Sequence, residues 1–145
     1  MFKRIMLPTD GSPLSLRAVD LGVQLAKQLG ASVFAYHAME PFATVPYFTD
    51  MMIFPEDAYE KEVNERAAYF LEETKQRAEA AQVPWSGLHE FAHRPYEAIM
   101  RVAHEQKCDL IVMGSHGRSG LDRLLLGSET NKLLLSTDVP VLVCH

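Results

Sequence analysis

Apolar and polar residues alternate along this chain in two distinct rhythms. Short, nearly unbroken apolar runs stand at Arg4 to Pro8 (RIMLP), Ala31 to Met39 (ASVFAYHAM) and in CDLIVMG, from Cys108 to Gly114. Turn residues stop each run, and strands buried on both faces require such runs. Pro84 to His93 and the closing DVPVLVC read as two further strands. Between the runs the spacing is helical. Ser12 and Pro13 make an N-cap and first helical position. Leu14, Ala18, Leu21, Leu25 and Leu29 follow as the expected apolar face, with Gly30 as the stop. Pro55 to Ala81 predicts a long charged helix, on which Glu62 and Arg66 form an i,i+4 surface pair. Pro95 starts a third helix, with Ile99, Val102 and Ala103 as its apolar side. Ser128 opens a fourth, through Leu133 and Leu135. The β-α-β-α-β-α-β-α-β alternation implies one doubly wound, Rossmann-like α/β domain over residues 1–145, with a parallel sheet. No repeat, linker or low-complexity tract interrupts it.

One connection stands apart. Glu40 to Pro55 is apolar from Phe42 to Phe54, yet broken by Pro41, Pro46 and Pro55. Two readings stand: a loop packed on its own domain, or a lid or partner surface, since exposed apolar patches mark contacts.

Composition narrows the function classes. A chain of 145 residues is long enough to bury a core as one domain. The net charge of −5 argues against a nucleic-acid partner, because binding a phosphate backbone calls for a basic face. Cys108 and Cys144 show no CxxC spacing and no disulfide framework, which fits reduced thiols. The apolar run before Pro8 is too short for a signal peptide, and no run approaches the roughly 20 residues of a membrane span. A cytoplasmic protein is expected.

HEFAH, from His89 to His93, matches the HExxH zinc pattern. That pattern works on a helix, where i and i+4 side chains are neighbours. Pro84, Gly87 and Pro95 bracket this segment and predict a strand instead. On a strand the two histidines stand about 13 Å apart, at roughly 3.3 Å per residue, too far to share one zinc. No metal is expected there. The chain also lacks a GxSxG elbow, a Walker A sequence and a GxGxxG fingerprint.

The densest chemistry lies in MGSHGRSGLDRLLLGSETNK, from Met113 to Lys132. Gly114 and Gly117 follow a strand end, where a positive φ and close ligand approach are open to glycine. Gly127 and Ser128 open a helix, whose N–H groups and dipole favour an anion. PTDGS ends the first strand at the same edge of the sheet, so Asp10 and the glycine loop should converge on one crevice. Asp10 suits a ribose hydroxyl or a metal ion, and Arg118 suits phosphate oxygens. The plainer reading is a flexible turn, with Asp10 helping Ser12 to cap the next helix.

These residues resemble the universal stress protein family over essentially the whole chain. Gly114, Gly117, Gly127 and Ser128 fit that family's G-x2-G-x9-G-S/T nucleotide signature. RIMLPTDGS, CDLIVMGSHGRSG and DVPVLV look like its start, centre and end. The resemblance implies a five-stranded sheet of order 3-2-1-4-5, with helices on both faces. It also implies ATP binding, by motif position at Pro8, Thr9, Asp10, Met113, Gly114, Gly117, Gly127 and Ser128. Ala38 joins them by strand position alone. The resemblance further implies a homodimer paired through the last strand, Val139 to Val143, where Pro140 already suggests a sheet edge. Two residues depart from the family pattern: His93, where glycine is frequent, and Glu129, where a small or apolar residue is frequent.

The function expected from this sequence is ATP binding, with Mg²⁺, as a regulatory ligand in stress response. Any hydrolysis should be slow, since no residue near the loop is an evident general base: His116 could serve, but a loop histidine beside glycines is more often solvated or phosphate-facing. A nucleotide-free homodimeric interaction module is the rival. An adenylating or α-phosphate hydrolysing enzyme is a third class, against which PTDGS lacks the SGGxDS-type loop.

Overall fold

The structure, a computed structural model, describes residues 1–42, 55–117 and 126–145. Five strands form one parallel sheet: β1 (Arg4–Pro8), β2 (Ser32–Met39), β3 (Trp85–Phe91), β4 (Leu110–Gly114) and β5 (Val141–Cys144). Four helices alternate with them: α1 (Pro13–Leu29), α2 (Glu56–Ala80), α3 (Pro95–Glu105) and α4 (Ser128–Ser136). The strand order is β3-β2-β1-β4-β5, so the chain reverses direction across the sheet between β1 and β4. That is the order the family resemblance implies.

Strand periodicity sorts the core into two layers. Ile5, Leu7, Val33, Leu110 and Val112 pack against Ala18, Val19, Val23 and Ala26 of α1 and Ala78 of α2. Met6, Phe34, Tyr36, Ile111 and Met113 pack on the other face, against Ala98, Ile99, Val102 and Ala103 of α3 and Leu133 of α4. Ile5, Leu7, Val33 and Val112 are fully buried, each contributing about 1.5–3 kcal/mol by leaving water.

Helix α1 begins as its sequence predicts. Ser12 Oγ accepts the Ser15 N–H at 3.2 Å, and Gly30 closes the helix at φ 65°. Its buried stripe is rotated from the expected one. Ser15, Ala18, Val19, Gly22, Val23 and Ala26 face the sheet, while Leu21 and Leu29 are exposed. The cause is close approach: the Leu7 side chain fills the space where a Cβ of Gly22 would stand. Small residues therefore take the contact face and the leucines flank it. In α4 likewise, Leu133 is buried but Leu135 is 81% exposed.

Strand β3 ends at Phe91, short of the expected His93, which sits in the turn before α3. The HEFAH segment is extended at His89 and turning at His93, and is nowhere helical. Glu62 and Arg66 pair at 2.6 Å on the exposed face of α2, as their spacing predicts. Of the apolar connection, Phe42 is described, with its ring 5.5 Å from that of Tyr59. Residues 43–54 lie outside the described residues.

Candidate nucleotide-binding site

The C-terminal ends of β1, β2 and β4 meet the N-termini of α1, α3 and α4 around a cleft of about 700 Å³. It lies where the strand order reverses, the place where open α/β sheets bind ligands. Pro8, Thr9, Asp10, Ala38, Met113, Gly114, Gly117, Gly127 and Ser128 all line it. Arg118, expected to face phosphate, lies outside the described residues.

The β1–α1 turn is a hydrogen-bonded scaffold. Asp10 Oδ1 accepts the Ser12 N–H at 2.9 Å, and Thr9 Oγ1 accepts the Gly11 N–H at 3.2 Å. The plainer role weighed for Asp10, support of the α1 start, is therefore present. It leaves the carboxylate lining the cleft all the same. Gly11 stands at φ 75°, a left-handed conformation in which glycine is unpenalised, with the Phe70 ring where a side chain would be.

The glycines of the central loop act by a different means from the one expected. Among the described glycines only Gly11 and Gly30 have positive φ, so Gly114 and Gly117 do not need left-handed backbone. What they supply is room. A Cβ on Gly117 would stand 2.7 Å from Asp10 Oδ2, and one on Gly127 would stand 3.0 Å from His116 Cα. A Cβ on Gly114 would meet Leu14 Cγ at 3.1 Å. The Gly127 N–H donates to Ser115 O at 2.7 Å, and Thr130 Oγ1 donates to Gly114 O at 3.1 Å. These two bonds hold the start of α4 against the end of β4. The next N–H groups, of Ser128, Glu129 and Thr130, lie in the first turn of α4, where the helix offers no carbonyl partner. They supply the donors an anion would use.

Several cleft residues carried no clear signal in the sequence. His37 lies beside Ala38 at the end of β2, and its Nδ1 stands 2.7 Å from Thr9 O. A carbonyl only accepts, so the proton is on Nδ1. His37 also meets the Phe70 ring edge-on, with centroids 5.1 Å apart. Tyr36 and Ile99 form part of the floor. The Tyr36 hydroxyl donates to Glu90 Oε1 at 2.9 Å, and burial with that carboxylate pushes its pKa well above the usual tyrosine range. The two departures from the family pattern, His93 and Glu129, both line the cleft, as does His116. His116 Nδ1 is 3.1 Å from Ser115 Oγ. Among the described residues no group of three or more histidines, cysteines or acids is placed to hold a metal ion.

The sequence profile of the universal stress protein family matches residues 1–145. The chain belongs to the universal stress protein family. It is 34% identical to universal stress protein MJ0531 of Methanocaldococcus jannaschii, over 99% of this chain and 82% of that relative. The solved structure of MJ0577, from the same organism, superposes with a TM-score of 0.79 at 27% identity. It covers 99% of this chain and 96% of that one. A universal stress protein crystallised in complex with cAMP superposes with a TM-score of 0.73 at 28% identity, over 99% of this chain and 97% of the other. No helix among the described residues is long and apolar enough to cross a membrane.

Proposed function

We propose that this universal stress protein binds an adenine nucleotide in the β1–β4 cleft, ATP with Mg²⁺, as a regulatory ligand in the cytoplasm. The observation that carries the reading is the convergence of the PTDGS turn and the glycine signature on one cleft. Its volume of about 700 Å³ suits a small-molecule site. Gly117 and Gly127 let Asp10 and His116 pack closely against the loop at the cleft wall, and the first turn of α4 presents N–H donors to phosphate. A relative bound to cAMP supports adenine as the base. Asp10 would meet the ribose or the cation, Ser128 and Arg118 the phosphates, and Ala38 the base.

The regulation follows as a population shift, in which nucleotide occupancy favours one arrangement of a surface read by a partner. Strand β5 offers such a surface. It lies at the sheet edge with Leu142 exposed, and an open edge calls for a partner. Pairing of Val139–Val143 with the same strand of a second copy makes a two-fold homodimer. Without nucleotide, that edge and the exposed Leu135 would still serve an interaction module.

Mass spectrometry of small molecules released from freshly purified protein tests the nucleotide reading. Stoichiometric ATP is expected. Protein that carries no nucleotide and takes up none at millimolar Mg-ATP leaves the interaction module in its place. Light scattering at micromolar concentration should give a dimer mass, and a monomer mass refutes pairing through β5.

A further inference from the structure

Glu129 stands where the starts of two helices meet. It sits in the first turn of α4 beside Ser128 and lines the cleft. Its Oε2 accepts the backbone N–H of Tyr96 at 3.0 Å. That N–H belongs to the first turn of α3, where no intrahelical carbonyl reaches it and the N-cap residue Arg94 makes no side-chain cap. The carboxylate therefore fills, from within the chain, the place an external anion would take at α3. Lys132 Nζ stands 3.5 Å from Oε1 on the more exposed side. If Glu129 swung out of the cleft, it would strand the Tyr96 N–H.

Lys132 aside, the charge that lines the cleft is of one sign. Among the described residues, the cleft wall carries the carboxylates of Asp10, Glu40 and Glu129 and neither lysine nor arginine. We infer that Glu129 grades the nucleotides this cleft accepts by their charge. A polyphosphate enters readily as its divalent-cation complex and poorly as the free polyanion, while a monophosphate is little affected. The inference rests on the adenine-nucleotide reading and adds to it a residue that sets specificity. The physical basis is that repulsion from one fixed, tethered charge grows with the charge of the ligand end that approaches it. The tether matters because it stops the carboxylate from relaxing away.

Glu129→Gln separates charge from structure, since glutamine keeps a carbonyl oxygen for the Tyr96 N–H. Wild type and Glu129→Gln are each titrated calorimetrically with Mg-ATP, with ATP in EDTA, and with AMP. In wild type Mg-ATP should bind more tightly than free ATP. In Glu129→Gln that preference should shrink about tenfold, less so at high salt. AMP affinity should hold, while the melting temperature of the ligand-free protein should fall slightly, because a neutral amide supports the start of α3 less than a carboxylate does. Free-ATP binding gained only in the variant also supports the assignment. An unchanged preference overturns it. So does an equal change for all three ligands, which would make Glu129 a positioning residue for α3. If neither protein binds any of the three, the nucleotide reading itself fails, and this inference with it.

Discussion

Gly117→Ala isolates the packing of the cleft at the cost of one methyl group. The added Cβ would stand 2.7 Å from Asp10 Oδ2, closer than such atoms approach in folded proteins. The backbone at 117 is not left-handed, so the substitution carries no conformational penalty there. Its effect must pass through Asp10. That carboxylate is held by the Ser12 N–H at 2.9 Å, so it yields only by leaving its rotamer or stretching this bond. Leaving a rotamer costs about 0.5–1.5 kcal/mol. A hydrogen bond to a charged group contributes about 1.5–3 kcal/mol, and the partial exposure of Asp10 points to the lower end. The sum is about 2–3 kcal/mol, of which about 1.4 kcal/mol would already weaken nucleotide binding tenfold. Calorimetric titration with Mg-ATP reads the loss, and circular dichroism checks the fold. A double-mutant cycle with Asp10→Ala is the sharper readout. With the carboxylate gone, Gly117→Ala should cost little, giving a coupling of about 0.5–3 kcal/mol. Effects of the two substitutions that add to within about 0.5 kcal/mol would refute the steric account.

Ser128→Ala removes one hydroxyl at the start of α4 and should weaken Mg-ATP binding several-fold, with about 3 kcal/mol as the limit if the partner is a charged phosphate. Unchanged affinity by titration would take Ser128 out of the site. Ser12→Ala removes the acceptor of the Ser15 N–H and should lower stability by about 1 kcal/mol in urea denaturation, whereas an unmoved midpoint would deny the cap its role. Burial pushes the Cys108 thiol up to about 11, above the roughly 8.5 of a free thiol. The folded state thus holds this proton longer than the unfolded state, so its stabilising contribution is full below about pH 8.5 and is lost as pH rises toward about 11. Cys108 should resist Ellman's reagent at pH 8 until denaturant is added, and rapid modification of the folded protein at Cys108 would contradict this.

The sheet was legible because buried parallel strands leave little choice of residue. RIMLP matches β1 end to end, and the apolar part of CDLIVMG is β4. The start of α1 was equally plain, since Ser12-Pro13 is local chemistry that no tertiary contact had to supply. Which face of α1 is buried was not legible. Gly22 reads as a gap in a helix until Leu7 is seen to occupy the space it leaves. The same blindness hid the reason for Gly117. Its need for space is set by Asp10, distant in sequence and adjacent in the fold. The place of His37 and the tether of Glu129 were obscured for a related reason: the partners that fix them, Thr9 O and Tyr96 N–H, are backbone atoms of other segments. A backbone partner leaves no mark in residue type. Ala38 was reached only because β2 was placed correctly, and its neighbour His37 shares the cleft.

The central claim is that an adenine nucleotide sits between the PTDGS turn and the first turn of α4. Amide chemical-shift mapping during titration of the isotope-labelled protein with Mg-ATP tests it most directly. Saturable shifts should be largest at the N–H groups of Ser128, Glu129 and Thr130, then at Asp10, Ala38 and Gly117, with the exposed face of α2 quiet. Shifts that are absent at millimolar nucleotide, or that gather away from this cleft, would contradict the assignment.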